Sequence, residues 1–307
     1  MKKLLTYLLF TIIIVIASVT KQSHAQNFAD KKYYLVDSLD LGSLTENDRQ
    51  LIDSCLNVYH TVKSDTNKVS AIEFLIEECW DENVWPKYNL WVYQFVQKIL
   101  ATNPSTPIKQ SLLTSLAGAL NNIGYVHNNQ GNIPLAVEYY GKSLRLREEL
   151  NDKKGMAESY NNIGLIHNNQ GNIPLALEYY AKSLKIREQI NDKYGMATSY
   201  SNIGYVHHRQ SNIPLALEYY AKSLKLQEEL NDKKGMANSY SNIGVIHHHQ
   251  GNIPLTLEYY GKSLRLREEL NDKKGMAESY NNIGVIHYQQ GNIPLTLEYY
   301  GKSLRLR

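Results

Sequence analysis

Cysteine is nearly absent from this 307-residue chain, which has only Cys55 and Cys79. That excludes a small disulfide-stapled domain and any CxxC metal or redox motif. Proline and glycine are sparse, at 8 and 18 residues, which excludes collagen-like and low-complexity chains. Phenylalanine occurs 4 times and tryptophan 3 times, against 24 tyrosines, so something repeats a tyrosine pattern. No apolar run of 18 residues lies between 26 and 307, and neither a glycine-rich phosphate loop nor an HExxH motif is present.

What is present begins with an export signal pattern. Met1-Lys2-Lys3 is a basic start, Leu4 to Val19 is almost wholly apolar, and Ser23-His24-Ala25 offers small residues for cleavage before Gln26. The apolar run is short for a membrane span, although an uncleaved anchor stays an alternative. Cleavage after Ala25 implies export, to the periplasm in a Gram-negative bacterium. It also removes Lys2, Lys3 and Lys21, which lowers Lys+Arg from 33 to 30 against 30 acidic residues. The mature chain is then neutral and lacks the basic surplus of a nucleic-acid binder. Both cysteines fall in helix-like segments, near 46–63 and 67–82. In an antiparallel hairpin Cys79 lies about 7 Å past the level of Cys55, at the limit for a disulfide. Two buried thiols are the simpler expectation.

Self-similarity dominates the rest. "NNIGYVHNNQGNIPLAVEYYGKSLRLREELNDKKGMAESY" starts at Asn121, and close copies start at Asn161, Ser201, Ser241 and Asn281, a period of 40 residues. Each copy predicts two helices. In the second copy, Met156, Tyr160, Ile163, Gly164 and His167 follow helical spacing after the N-cap Asp152. That helix ends near Gln170-Gly171. A second starts after Asn172, with Pro174 in its first turn.

This spacing resembles the tetratricopeptide repeat (TPR). The family signature maps onto Tyr160, Ile163, Gly164, His167, Ala176, Tyr180, Ser183 and Glu188. Departures are Leu120 for the first aromatic in copy one, and Thr256 and Thr296 for the small alanine in copies four and five. Glu188 stands where the family has proline, which lets the second helix run on and lengthens the usual period of about 34. Forty-residue repeats of this sort are similar to those of kinesin light chain and of exported bacterial sensor proteins. The resemblance implies an all-α fold, a right-handed α-solenoid of antiparallel helix pairs forming a TPR superhelix.

Five copies then start at Ala117, Ala157, Ala197, Ala237 and Ala277, the last incomplete, over 117–307. Residues 26–116 read as a divergent helical N-terminal cap, with helices near 46–63, 67–82 and 87–101 and a degenerate repeat at 65–105. The fifth copy is a faithful internal copy without a polar capping helix. The expectation is that the natural product continues beyond Arg307.

Within a copy, positions 4, 7, 8 and 11 share the packing face. Positions 2, 6, 9 and 13, flanked by 5 and 12, face the opposite way, and the resemblance makes that face the concave groove. Position 11 is always histidine (His127, His167, His207, His247, His287), which predicts a packed ring with a satisfied nitrogen. His208 and His248 at position 12 and His249 at position 13 edge the groove. His208 and His248 could share an ion, but consecutive helical residues point about 100° apart and no Cys or carboxylate recurs beside them. No metal and no cofactor is expected.

Much of each copy is fixed ("NIPL", "EYY", "KSL"), whereas groove positions vary: Gly118, Glu158, Thr198, Asn238, Glu278 at position 2; Tyr125, Leu165, Tyr205, Val245, Val285 at position 9; Asn128, Asn168, His208, His248, Tyr288 at position 12; Asn129, Asn169, Arg209, His249, Gln289 at position 13. A constant frame with a varied lining suits recognition of a protein or peptide, and drift of exposed positions is the alternative. Position 6 alone is constant: Asn122, Asn162, Asn202, Asn242 and Asn282. A carboxamide can pair with an extended backbone, and kinesin-light-chain-like repeats imply that use; bonds between neighbouring helices are the alternative. The candidate groove residues are these five asparagines with Tyr125, Tyr205, His208, Arg209, His248, His249 and Tyr288. Five near-identical sets of Ser, His, Asp and Glu do not make one unique active site, so neither catalysis nor a small-molecule substrate is expected. The expected function is an exported binding scaffold. Its rival is the periplasmic input region of a longer transmembrane signalling protein (a histidine kinase, a nucleotide cyclase or a DNA-binding regulator). In that case the membrane is met only beyond Arg307.

Overall fold

A computed structural model describes residues 31–37, 39–79 and 81–306. The export signal and its cleavage point lie outside the described residues, as does Trp80. The described chain is helical throughout, and among the described residues no helix is long and apolar enough to cross a membrane. It divides into two compact units, one up to Asp152 and one from Lys153.

The first unit holds α1 (Lys31–Tyr34), α2 (Glu46–Thr61), α3 (Asp65–Glu78), α4 (Trp85–Leu100), α5 (Thr106–Asn129) and α6 (Ile133–Glu149). Thr45 caps α2 by accepting from the Asp48 amide. Ile52, Leu56, Ile72, Leu75, Tyr88, Val92 and Val96 form a fully buried core. Cys55 and Cys79 lie in it as unpaired thiols, and burial pushes the Cys55 thiol up to about 12. The expected helices are present, and α3 packs on α4 where the degenerate repeat was expected. The boundary placed at 116/117 falls inside α5, so the divergent region runs into the first copy without a break.

The second unit is a stack of equal helices: α7 (Lys153–Asn169), α8 (Ile173–Gln189), α9 (Lys193–Arg209), α10 (Ile213–Glu229), α11 (Lys233–His249), α12 (Ile253–Glu269), α13 (Lys273–Gln289) and α14 (Ile293–Arg305). First helices start one residue after aspartates that cap them: Asp192, Asp232 and Asp272 accept from the amides of Gly195, Gly235 and Gly275. They end at a glycine with positive φ, +77° at Gly171, where a Cβ would be strained. Copy three uses Ser211 there, at φ 59°. Second helices end at Asn191, Asn231 and Asn271, which also take positive φ, a conformation asparagine tolerates. Asn172 occupies its N-cap without a side-chain bond, whereas Asn252 and Asn292 bond the amides of Leu255 and Leu295. Glu188 lies inside α8, which runs on to Gln189, as the missing proline predicted.

The two helices of a copy meet at one tight point. Tyr180 is 1% exposed and its ring lies over Gly164, where a Cβ would come within 2.8 Å of the ring and 3.3 Å of the Ala176 carbonyl. Ile203 and Val206 of the next copy close the other side of Ala176 and Tyr180. Ser183 Oγ donates to the Ala157 carbonyl at 2.7 Å, and Ser223 and Ser303 repeat the bond to Ala197 and Ala277. On the outer surface Lys182 pairs with Glu178 at 2.6 Å and sits 5.0 Å over the Tyr179 ring. Such exposed pairs contribute only about 0.3–0.5 kcal/mol each. These contacts account for the constancy of "NIG", "EYY" and "KSL".

Gly164→Ala is expected to cost about 1–3 kcal/mol by overpacking against Tyr180. Gly118→Ala, whose Cβ meets nothing within 4 Å, is expected to gain about 0.5–1 kcal/mol of helix stability. Urea denaturation midpoints of the two variants should move in opposite directions.

Candidate functional site

In the second unit each first helix touches the first helices before and after it, α7 with α9 and α9 with α11. Their shared face is therefore the inner one, and it carries positions 2, 6, 9, 12 and 13.

Position 9 is open. Tyr205 is 45% exposed and Leu165 37%, while Val245 and Val285 are half-buried. In the first unit Tyr125 is also 45% exposed and leans on Trp85, ring centroids 6.0 Å apart. Position 12 is mixed. Tyr288 is 62% exposed, His208 and His248 are half-buried, and Asn168 is 1% exposed. That corrects Asn168 as a groove residue: Arg209 Nη1 donates to its carbonyl at 3.0 Å and the arginine side chain reaches back across it.

Positions 12 and 13 of successive copies are zipped together. His208 Nε2 and His249 Nδ1 share a hydrogen bond at 3.1 Å with their rings stacked, and His248 Nε2 meets Gln289 Oε1 at 2.7 Å. The three consecutive histidines thus diverge: His247 stacks on Tyr259 and bonds Gln250, His248 goes to the next copy and His249 to the previous one. Among the described residues no group of three or more His, Cys, Asp or Glu could hold a metal ion. Position 11 packs as expected, each ring stacked on a tyrosine, as His167 on Tyr179 at 5.5 Å. The buried Nδ1 of His127, His167, His207 and His287 has no hydrogen-bond partner, whereas His247 Nδ1 meets Gln250 Oε1 at 3.1 Å.

The position-6 asparagines are half-buried. Asn202 Nδ2 donates to Asn161 Oδ1 at 2.7 Å, and Asn122 Nδ2 donates to Asn89 Oδ1 at 3.0 Å. At these two the inter-helix alternative holds for one amide N–H; that bond uses one of the two donors on Nδ2 and none of the oxygen's acceptor capacity.

Sequence reasoning missed a row of buried arginines on the second helices. Arg187 and Arg267 are 5% and 6% exposed. Arg187 Nη1 donates to the Gly195 carbonyl and to Ser199 Oγ at 3.1 Å; burial pulls its pKa down, opposed by the Asp192 and Glu158 carboxylates. Arg267 reaches the Gly275 carbonyl, Ser279 Oγ, Glu278 and, through Nη2, Asn238 Oδ1. Copy three has Gln227 instead, bonded to Ser239 at 2.8 Å, and the flanking position-2 residues Thr198 and Asn238 are both neutral. Variation at position 2 is therefore not free. Of the two position-2 residues flanking each, Arg187 and Arg267 have one glutamate (Glu158, Glu278) and one neutral residue (Thr198, Asn238), whereas Gln227 has two neutral ones.

The family model of the tetratricopeptide repeat matches residues 115–189, 155–229 and 235–307, more than half of the chain. The chain belongs to the tetratricopeptide repeat family. It is a protein-interaction scaffold by that membership. No curated protein matches it. Among solved structures it is similar to BtubC (BKLC) from P. vanneervenii, with a TM-score of 0.60 and 17% identity over 72% of this chain and 89% of that one. It is also similar to a Rap protein complexed with Competence and Sporulation Factor, with a TM-score of 0.58 and 14% identity over 84% and 74%. A Signal Transduction ATPase with Numerous Domains (STAND) protein with a tetratricopeptide repeat sensor, from Pyrococcus horikoshii, gives 0.54 and 21% over 87% and 41%. At these identities the likeness shows the TPR fold.

Burial and the neighbouring His249 lower the His208 pKa. The unfolded side chain titrates near 6.5, so the unfolded state binds more protons just below that pH. Stability of the TPR stack should therefore fall as pH drops from above 6.5 through the lowered folded value. His208→Gln should flatten the pH dependence of the denaturation midpoint between pH 7 and 5. Arg267→Leu should cost about 1–3 kcal/mol by stranding the Gly275 carbonyl and Ser279. Arg267→Gln should cost less, since Gln227 already makes the equivalent serine bond; urea midpoints measure both.

Proposed function

We propose that the chain is an exported, non-catalytic scaffold that binds peptide segments along the inner face of its first helices. The carrying observation is the split on that face. Bonds between copies take up His208, Arg209, His248, His249 and Gln289 at positions 12 and 13 and one amide N–H of Asn202 at position 6, while Tyr205 at position 9 and Tyr288 at position 12 stay open. Exposed tyrosines supply rigid contact area at low entropic cost. Asn242 and Asn282, with the acceptor oxygen of Asn202, supply polar groups for an extended backbone. His208, Arg209, His248 and His249 sit at the edge of that path, where they add charge and shape without lining its floor. The Rap protein, complexed with a Competence and Sporulation Factor, uses the same fold. Export rests on the pattern of residues 1–25, with cleavage after Ala25 and release to a Gram-negative periplasm.

The second reading is a sensory input region of a larger signalling protein. It is favoured by the likeness to a STAND protein with a tetratricopeptide repeat sensor, of which this chain spans 41%. The size and cell fraction of the native protein separate the two. A soluble species slightly below 35.2 kDa fits the scaffold, and a larger membrane-bound one fits the sensor.

Selection of a displayed peptide library on the purified chain tests the groove. Enriched peptides should lose about tenfold or more in affinity when Tyr205→Ala and Asn242→Ala are combined, with the denaturation midpoint held. No enrichment, or peptides indifferent to both changes, would contradict the reading.

A further inference from the structure

One carboxamide of the inner face is buried without a partner. Asn168, at position 12 of copy two, is 1% exposed, and neither its Nδ2 nor its Oδ1 has a hydrogen-bond partner. A carboxamide carries two donor hydrogens and an acceptor oxygen, and closing all of them off from water is unfavourable. Later junctions fill the same place differently. His208 meets His249 and His248 meets Gln289, side chain to side chain, between position 12 and position 13 of the next copy. Between copies two and three the position-13 residue is Arg209, and it passes the carboxamide by. Its Nη1 donates to the Asn168 backbone carbonyl at 3.0 Å instead.

The acceptor does not need that bond. The Asn168 carbonyl already accepts from the Gly171 amide at 3.0 Å, in the turn that ends α7. Withdrawal of the Arg209 side chain therefore strands no group on the Asn168 backbone, and it uncovers two side-chain atoms that lack partners. Arg209 is exposed, and this contact is its one bond among the described residues, so most of its five N–H groups are free. It is also the only lysine or arginine at positions 5, 6, 9, 12 and 13 of any copy, and no aspartate or glutamate occurs at those positions. A guanidinium fork without a carboxylate thus lies over a carboxamide without a partner.

From this arrangement we infer that the junction of copies two and three is a covered subsite for a carboxylate carried by a bound segment. The carboxylate takes the Arg209 fork as a bidentate pair. The arginine then leaves the Asn168 carbonyl, and the uncovered carboxamide pairs with the backbone of the same segment, donating to a carbonyl and accepting from an amide. Arg209 is both cover and contact. The carboxylate is an aspartate or glutamate side chain, or the C-terminus of the segment. The inference rests on the peptide reading of the inner face. It adds the charge of the ligand and one binding residue, Asn168, that is hidden while the arginine is in place.

The experiment uses peptides selected from a displayed random library on the full chain. Each is resynthesised with and without a C-terminal amide, and with each acidic residue changed to its amide counterpart. Neutralising one carboxylate should weaken binding at least about tenfold, the loss of one charge-assisted pair; whether amidation or a side-chain change does so identifies the source. In Arg209→Gln the same neutralisation should change affinity by less than about twofold, since the guanidinium partner is gone. Asn168→Ala should weaken the parent peptide several-fold while holding or raising the urea midpoint, because it removes buried polar atoms that bond nothing. A merely structural asparagine would lower that midpoint. Selected peptides that depend on Tyr205 but are indifferent to neutralising every carboxylate would overturn the inference and leave the peptide reading standing. So would a carboxylate preference that persists in Arg209→Gln, or binding untouched by Asn168→Ala. A library that yields no peptide would overturn both.

Discussion

One contact sets the architecture: the ring of Tyr180 pressed onto Gly164 beside Ala176, repeated in each copy as Tyr140 on Gly124, Tyr220 on Gly204, Tyr260 on Gly244 and Tyr300 on Gly284. It fixes how near the two helices of a copy approach, and therefore which residues of the first helix face inward. A tyrosine is large enough to fill the gap and to receive the next copy's Ile203 and Val206 on its other side. Two threonines, Thr256 and Thr296, replace the alanine without disturbing this, because each hydroxyl is turned back to its own helix, onto the carbonyls of Asn252 and Asn292.

Given that spacing, copies are joined on the inner side by polar bonds forty-one residues apart: Asn161 with Asn202, Asn168 with Arg209, His208 with His249, His248 with Gln289. Beneath them the buried arginines bridge second helices to the following first helices. Much of the inner surface that varies between copies is thus committed to holding the stack. The residues left for a partner are fewer: Tyr205 at position 9, Tyr288, and Asn242 and Asn282 at position 6. Selectivity then comes from a small number of side chains on a rigid frame, which suits recognition without chemistry.

The helices, their ends and the packing face were legible because each is dictated locally, by periodicity, a capping aspartate, a positive-φ glycine or asparagine, and a small residue opposite a tyrosine. The fate of His247-His248-His249 followed from helical geometry alone. The inner face was less legible. Whether Asn202 reads a ligand or a neighbour depends on the distance between copies, which periodicity does not encode. Asn168 looked open because its cover, Arg209, comes from another copy. The arginines were overlooked because a basic residue late in a helix reads as solvated, although Gln227 flanked by neutral Thr198 and Asn238 carried the clue.

The most direct measurement is site-specific photocrosslinking in the native cell, with a photoreactive phenylalanine analogue placed at Tyr205, at Tyr288 and, on the exposed side of α10, at Lys225. A discrete crosslinked protein or peptide from Tyr205 and Tyr288 and none from Lys225 is the expected result. Capture from Lys225 alone, or from none of the three while the chain remains folded, would contradict an inner face built for a partner.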